Sequence, residues 1–536
     1  MAQLGLIKMI SPNRLIAFVI ISFCIYMSWL PVFTADGAWM TFDLIAHTDR
    51  AISTVNEIRN GQFLAFFDFS YPFFPGYSWN LFYPPLENFI YSGLYFISNN
   101  LNTSLKLLTL FIIIISFIHS YIAFVYLSVN KEKAILLAVL FSCSIYQIDN
   151  IFIRGALPES VAICFIPLFI ASLAKKDNGK KSVLMMSYAV AGILLSNIPL
   201  FLCCGIVGFI YFLLVPKKLL LLVQAFSFAI LLSAFFFLPL VYSIHDQVFP
   251  IMATNWFQNM SEKSIGFYDL ISGEKISSGK LSNMALGVGW PVFIMFLYSL
   301  KETVNKKIIY AITILAVLIT CAANYSFLPE FLYSINKIQY TWRLIPFLIF
   351  FVLIIISHNQ KIKSSHLVAS ILAISLMSTW MSVKSVNNFD ISESNFRGPK
   401  NTVFTDYTLE NTKKLAEYKK ELVCISLTDM KYQNIPYSIS RGKYGLPYFS
   451  IHTDKEIKCR LPVMAYTALS VDGSRDVVDG YLSYKTKVGD NLIKTEYSKN
   501  FLYSVLLGII LTSLSVILFI YLAFYKRKNN KTTKNA

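Results

Sequence analysis

Long apolar runs separated by short polar loops dominate this chain. Twelve of them approach the roughly 17 to 25 residues that a helix needs to cross a bilayer. Their bounds are approximately 14–33, 105–128, 134–149, 157–174, 182–198, 200–216, 219–243, 284–300, 308–323, 342–357, 367–384 and 501–525. A further apolar stretch, 86–98, is too short to span comfortably. The pattern predicts a polytopic α-helical membrane protein of about twelve spans.

The basic residues at the two termini and in alternate loops predict an orientation. All of them fall on one side if 86–98 lies along the outer surface, and that side is then the cytoplasm. They are Lys8, Arg14, Lys131, Lys133, Lys175, Lys176, Lys180, Lys181, Lys217, Lys218, Lys301, Lys306, Lys307, Lys361, Lys363, Lys526, Arg527, Lys528, Lys531 and Lys534. The net charge of +17 therefore reflects membrane orientation, and we expect membrane lipids and no nucleic acid as partners.

Composition divides the chain into domains. Only 14% of the residues are charged, against about 25% in soluble proteins, which excludes a soluble multidomain enzyme. Charge is concentrated in 385–500, where we expect a water-soluble domain outside the membrane. The expected organisation is a transmembrane domain over 1–384 with a long first outer loop at 34–104, this outer domain, and a last span with a basic cytoplasmic tail over 501–536.

The outer domain is expected to be rich in β-structure. Alternating positions over 463–469, 481–487 and 492–497 predict strands, and a small β-sandwich is the expected form. Turns are predicted at Asp472-Gly473 and Asp479-Gly480, and a short helix at 407–421.

Two of the eight cysteines, Cys424 and Cys459, fall in this outer domain, whereas the other six lie in apolar spans. Such a pair suggests a disulfide in an oxidising compartment, with two unrelated buried thiols as the alternative. The spacing of Cys and His predicts no zinc site.

The first candidate for chemistry lies in the first outer loop. Apolar positions over 42–62 predict an amphipathic helix that lies against the membrane and is ended by Gly61. Asp43 and His47 are four residues apart and would share one face of it. A carboxylate beside an imidazole suits a general base that takes a proton from a hydroxyl. The alternative is a solvated face on an interfacial helix.

Two arginines stand at the outer ends of predicted spans, in Arg154-Gly-Ala-Leu-Pro-Glu159 and in Gln339-Tyr-Thr-Trp-Arg343. Both could bind phosphate oxygens, or could extend to lipid headgroups instead. Glu159 also suits the first turn of a helix. The aromatic stretch 69–85 could anchor the protein in the membrane or line a groove for a sugar or prenyl chain.

Asp43-x-x-x-His47, Gly61-Gln62 and Phe82-Tyr-Pro-Pro-Leu86, followed by many spans and an outer β-rich domain, resemble the GT-C superfamily of polyprenyl-phosphate-sugar-dependent membrane glycosyltransferases. More narrowly, the two arginine motifs resemble bacterial membrane proteins labelled "6-pyruvoyl-tetrahydropterin synthase related".

The resemblance implies an inverting glycosyltransferase at the outer face of a bacterial cytoplasmic (inner) membrane, acting in cell-envelope polysaccharide or related glycan assembly. A sugar would pass from a polyprenyl-phosphate donor to an extracytoplasmic glycan, lipid or protein. Asp43 would be the general base, assisted by His47. Arg343 and Arg154 would stabilise the departing phosphate.

By the same resemblance, Glu159 would hold Arg154 or a sugar hydroxyl, and Tyr83 and Gln339, which lie in the matching motifs, would bind substrate. The first loop has no Asp-x-Asp sequence, so we expect no metal and no cofactor beyond the lipid-linked donor. A lipid-linked glycan flippase or other transporter and a non-catalytic glycan-assembly protein are the alternatives. The scarcity of charge in the middles of the spans argues against an ion-coupled transporter.

Overall fold

The structure is a computed structural model that describes residues 43–70, 76–245, 265–273, 286–301, 305–320, 340–385, 422–426 and 432–532, with isolated residues between 18 and 39 and at 247, 249, 388–389 and 409. Most of these residues are helical. The helices are α1 Leu44–Arg59, α2 Trp79–Phe82, α3 Leu86–Ser98, α4 Leu101–Tyr126, α5 Lys131–Ser142, α6 Ile145–Asp149, α7 Leu157–Ile163, α8 Ile166–Ala174, α9 Lys180–Leu194, α10 Ile198–Leu214, α11 Leu219–Leu232, α12 Ala234–Ile244, α13 Phe267–Ser272, α14 Trp290–Ser299, α15 Lys306–Thr320, α16 Ile345–His358, α17 Ser364–Ser385 and α18 Lys499–Thr532.

Five helical stretches among the described residues are long and apolar enough to cross a membrane. They are Leu101–Tyr126, Lys131–Arg154, Leu157–Ala174, Thr341–His358 and Lys499–Phe524, and a sixth is added if the bent pair Pro216–Leu232 and Ala234–Ile244 counts as one span. A multi-pass helical membrane protein is therefore confirmed. The count of twelve stays a prediction, because several of the other predicted spans form apolar helices of only 10 to 17 residues and 14–33 is described only in part.

Proline and glycine mark the breaks within these spans. The stretch from Lys131 to Arg154 ends at Gly155, whose φ of +73° is a conformation that glycine adopts readily. Pro158 lies in the first turn of α7, and Pro167 in the first turn of α8, where a missing N–H costs no helical hydrogen bond. The sequence between Arg154 and Glu159 thus separates two spans with a tight turn.

The first outer loop contains the helix expected over 42–62, observed as α1. It is followed by Gly61 at a φ of +90°, as the prediction requires. Its surroundings differ from the prediction, because Thr48, Arg50 and Glu57 are fully buried in the protein. A solvated polar face is therefore wrong for these residues. The stretch 86–98 forms α3, which is not among the candidate spans.

A β-rich region is confirmed between residues 423 and 497. Its strands are β3 Val423–Ser426, β4 Tyr432–Asn434, β5 Ser438–Arg441, β6 Pro447–Thr453, β7 Ile457–Met464, β8 Leu469–Val471, β9 Asp476–Val478, β10 Tyr481–Lys485 and β11 Gly489–Tyr497, after the short pair β1 Ala38–Trp39 and β2 Asn388–Phe389. They form a five-stranded antiparallel sheet in the order β4-β3-β7-β10-β9 and a four-stranded one in the order β5-β6-β11-β8. Two sheets of this size fit the expected sandwich.

The details of this domain confirm some predictions and correct one. Cys424 and Cys459 are opposite each other on β3 and β7 and form the expected disulfide. Asp472-Gly473 and Asp479-Gly480 have positive φ at both residues, as tight hairpin turns require. The single strand predicted over 463–469 is wrong, because β7 ends at Met464, 465–468 is a mostly buried turn, and β8 begins at Leu469. The predicted helix at 407–421 lies outside the described residues, except for 409.

Contacts divide the chain into two compact units. The first contains residues 1–45, 105–229 and 256–390, and the second contains 46–104, 230–255 and 391–536. The first unit holds most of the spans, together with the β1–β2 pair. The second holds the outer β-rich domain, α18 and most of the first outer loop, which the expected organisation assigned to the transmembrane domain.

Candidate functional site

The two arginines singled out in the sequence meet at the ends of two spans in the first unit. Arg154 is the last residue of a π-helical turn, Asn150–Arg154, which continues α6. Such turns occur frequently at functional sites. Arg343 lies in a 3₁₀ turn, Thr341–Leu344, that leads into α16. Each arginine therefore stands where regular helix gives way to another conformation.

Glu159 joins these arginines through one buried carboxylate. Its Oε2 accepts hydrogen bonds from Arg154 Nη1 and Arg343 Nε, each at 2.8 Å. Its Oε1 accepts a hydrogen bond from the Tyr146 hydroxyl at 2.7 Å. The Glu159 side chain is only 1% exposed. Three donors in this geometry hold the carboxylate and both guanidinium groups in fixed positions.

Asp43 supplies the accessible carboxylate of the cluster. Its Oδ2 lies 3.3 Å from Arg154 Nε, and its backbone N–H donates to the Arg154 carbonyl at 3.0 Å. The Asp43 side chain is 43% exposed, in contrast to the buried Glu159. The four charged residues Asp43, Arg154, Glu159 and Arg343, called the arginine cluster below, balance to zero when all are ionised.

One nitrogen of the Arg154 guanidinium has no polar partner among the described residues. Its Nη1 also donates to Asn150 Oδ1 at 3.3 Å, whereas its Nη2 contacts no polar partner among the described residues. The Tyr340 ring lies 5.7 Å from the Arg154 guanidinium and 5.3 Å from that of Arg343. It also stacks on Trp342 at 4.3 Å. An aromatic layer thus covers two cations, an arrangement that stabilises positive charge.

Two other predicted site residues belong to the second unit. His47 is buried, and its ring meets the Tyr83 ring edge-on at 5.7 Å. Arg50 lies 4.9 Å from the Tyr83 ring and donates to the carbonyls of Tyr83 and Pro84 at 3.0 and 2.9 Å. Arg50 thus fixes the backbone of the Phe-Tyr-Pro-Pro segment. The roles of His47 and Tyr83 stay predictions, and Gln339 lies outside the described residues.

A buried carboxyl group accompanies Arg50. Glu87 Oε2 lies 3.9 Å from Arg50 Nη1, too far for a hydrogen bond, and neither Glu87 oxygen has a hydrogen-bond partner among the described residues. Burial raises the pKa of Glu87 to about 7, although the charge of Arg50 acts to lower it. Glu87 lies outside the candidate spans.

Sequence reasoning missed three residues of the site: Tyr146, Asn150 and Tyr340. Tyr340 lies inside the motif that contains Arg343, so its aromatic ring could have been considered there. Tyr146 and Asn150 lie at the end of an apolar run and carry no distinctive signal. Only the packing of the spans shows that Tyr146 reaches Glu159.

Comparisons with known proteins agree with the narrower of the two resemblances. A family model described as "6-pyruvoyl-tetrahydropterin synthase related domain; membrane protein" matches residues 81–392, which include Arg154, Glu159 and Arg343. An uncharacterized protein of Lactococcus lactis subsp. cremoris (strain MG1363) is 25% identical over 235 residues, 41% of this chain and 38% of that protein. The match thus spans well under half of that relative.

No solved structure matches the chain. The family model, in contrast, covers more than half of the residues. The chain therefore belongs to the family of membrane proteins described as 6-pyruvoyl-tetrahydropterin synthase related.

Proposed function

We propose that the chain is an inverting membrane glycosyltransferase of the GT-C type. It moves a sugar from a polyprenyl-phosphate donor to a hydroxyl of an extracytoplasmic glycan, lipid or protein. The proposal includes about twelve spans, cytoplasmic termini and an active site on the outer face of a bacterial cytoplasmic membrane. The observation that carries it is the arginine cluster, in which an exposed carboxylate adjoins one of two buried guanidinium groups that share a buried carboxylate.

The proposed reaction begins at Asp43. Its carboxylate takes the proton of the acceptor hydroxyl, whose oxygen bonds to the anomeric carbon of the sugar. The bond from that carbon to the phosphate oxygen breaks on the opposite face, which inverts the configuration. The electron pair of that bond leaves with the polyprenyl phosphate, so one negative charge is added to the phosphate group.

The charge of the cluster changes in the direction that this reaction needs. Before the reaction, Asp43 and Glu159 together balance Arg154 and Arg343. Protonation of Asp43 leaves one net positive charge beside the departing phosphate. Preorganised charge that matches the transition state better than the ground state accelerates the reaction. In this proposal Arg154 Nη2, which has no polar partner among the described residues, donates to a phosphate oxygen.

The remaining residues have supporting roles in this proposal. Glu159 holds both guanidinium groups in place. His47 assists the base, and Tyr83 and Gln339 contact substrate. We expect no metal and no further cofactor, since the two arginines supply the positive charge that a metal ion would otherwise bring to a phosphate.

The test is reconstitution of the purified full chain in liposomes with polyprenyl-phosphate sugars and candidate acceptors. Asp43→Asn should reduce the transfer rate by about 10²- to 10⁴-fold, the usual contribution of a general base. Asp476→Asn, which changes an exposed carboxylate on β9, is the matched control and should transfer at the parent rate. Full activity of Asp43→Asn would show that Asp43 is not the base. Movement of donor across the bilayer without transfer would favour the flippase.

A further inference from the structure

A second site is suggested by a cavity of about 430 Å³ at the opposite ends of two spans that carry the arginine cluster. Arg343 stands at the beginning of the span Thr341–His358, whereas His358 lines the cavity at its end. A helix rises about 1.5 Å per residue, so these residues are separated by about 22 Å. The cavity is therefore distinct from the proposed active site.

The lining of the cavity is amphiphilic. Leu127, Ile308 and Ile354 supply apolar walls, whereas Lys175, Lys176 and His358 supply polar and cationic groups. No carboxylate lines it among the described residues. The combination matches a ligand that has both an anionic group and a hydrocarbon part.

The ends of helices around the cavity would by themselves disfavour an anion, because the carbonyls at a helix C-terminus carry partial negative charge. Lysine ammonium groups offset this partial negative charge around the cavity. Lys175 Nζ donates to the Tyr126 carbonyl at 2.8 Å, and Lys133 Nζ donates to the Asn359 carbonyl at 2.7 Å. Lys218 Nζ donates to the Lys175 carbonyl. The terminal carbonyls of three helices are thus paired with ammonium groups.

Two further groups on the rim can then interact with a ligand. Lys176 is exposed. His358 engages Ile354 and Ser357 through Nδ1, which leaves its Nε2 without a partner among the described residues. Lys176 can donate to a phosphate oxygen, and His358 can donate from Nε2 when its imidazole carries both protons, because Nδ1 already donates to the Ile354 carbonyl. The apolar residues of the lining can receive the first carbons of an acyl chain.

We infer that this cavity binds one anionic phospholipid, with its phosphate at Lys176 and His358 and the start of an acyl chain along Ile308 and Ile354. Basic pockets between membrane-spanning helices bind anionic lipid headgroups in this way. Inorganic phosphate shares the headgroup chemistry but does not use the apolar wall. The inference does not depend on the proposed glycosyltransferase activity.

Native mass spectrometry of the full chain in detergent, with added phosphatidylglycerol or phosphatidylcholine, tests this inference. The parent should retain phosphatidylglycerol in preference to phosphatidylcholine, and millimolar inorganic phosphate should not displace it. Lys176→Gln and His358→Gln should each weaken retention by about five-fold. Lys180→Gln is the matched control, because it removes an exposed charge at the start of α9, four residues after Lys176, and Lys180 does not line the cavity.

A second variant tests the apolar wall independently of charge. Ala174→Phe should fill the cavity and weaken retention although every cation is kept. Melting temperatures equal to that of the parent would exclude unfolding as the cause. Equal losses in Lys180→Gln, unchanged retention in Ala174→Phe, equal binding of phosphatidylcholine, or displacement by inorganic phosphate would each overturn the assignment.

Discussion

Replacement of Glu159 by glutamine should destabilise the first unit strongly. The carboxylate is 1% exposed and receives hydrogen bonds from two guanidinium groups and from the Tyr146 hydroxyl. Glutamine can keep an acceptor oxygen toward the two guanidinium groups, with its N–H₂ group toward the Tyr146 hydroxyl, but it removes the negative charge that compensates them. Breaking a buried ion pair by removal of one partner costs about 3–5 kcal/mol. We expect a loss of this size in the free energy of unfolding of Glu159→Gln.

Denaturant unfolding of the full chain in detergent micelles measures this loss. Glu496→Gln is the control, because Glu496 is exposed on β11 and a surface change of this kind shifts stability by no more than about 0.5 kcal/mol. A double-mutant cycle isolates the Glu159–Arg343 pair. The combined Glu159→Gln/Arg343→Gln variant should lose at least about 1 kcal/mol less than the sum of the single variants, since contacting charges are coupled.

A small effect would refute the reasoning. If Glu159→Gln loses less than about 1 kcal/mol, the carboxylate does not compensate the two arginines as their distances imply. If the losses of the single variants add in the double variant, Glu159 and Arg343 are not coupled. Either result would also remove the support that the cluster gives to the proposed function.

Two further predictions concern the second unit. Replacement of both Cys424 and Cys459 by alanine should lower the free energy of unfolding by about 3–4 kcal/mol, because the disulfide closes a loop of 35 residues; unchanged denaturation midpoints with and without the bond would contradict this. Glu87 has a pKa of about 7 when folded, above its usual 4.5, so its contribution to stability should fall as the pH rises from about 4.5 to 7. Glu87→Gln should lack this fall when unfolding is measured between pH 5 and 8, and parallel pH curves for the two proteins would contradict the assignment.

The sequence indicates where the charged residues of the site lie along the spans, but it does not indicate which of them contact one another. Gly155 and Pro158 mark a sharp turn between spans, so the position of Arg154 at the end of one span could be predicted. The contact between Glu159 and Arg343 joins residues 184 positions apart. It depends on how spans pack against one another, and neither hydropathy nor local spacing contains that information.

One sequence pattern can be compatible with two environments. Apolar positions at helical spacing in α1 predict a helix on a membrane surface, yet Leu44, Ile52 and Val55 pack inside the protein. Periodicity identifies a helix with an apolar face but does not identify what covers that face. Similarly, the alternation over 463–469 predicts one strand, although a mostly buried turn between two strands has the same sequence pattern.

The two carboxylates of the arginine cluster differ in their exposure and in the number of hydrogen bonds that they accept. Glu159 is buried and already accepts hydrogen bonds from three donors, so an acceptor hydroxyl has little access to it. Asp43 meets one guanidinium nitrogen, and its side chain is 43% exposed. A general base must reach the proton that it abstracts. Within the cluster, geometry therefore favours Asp43 over Glu159 as the base of the proposed reaction, in which Glu159 would position the cations.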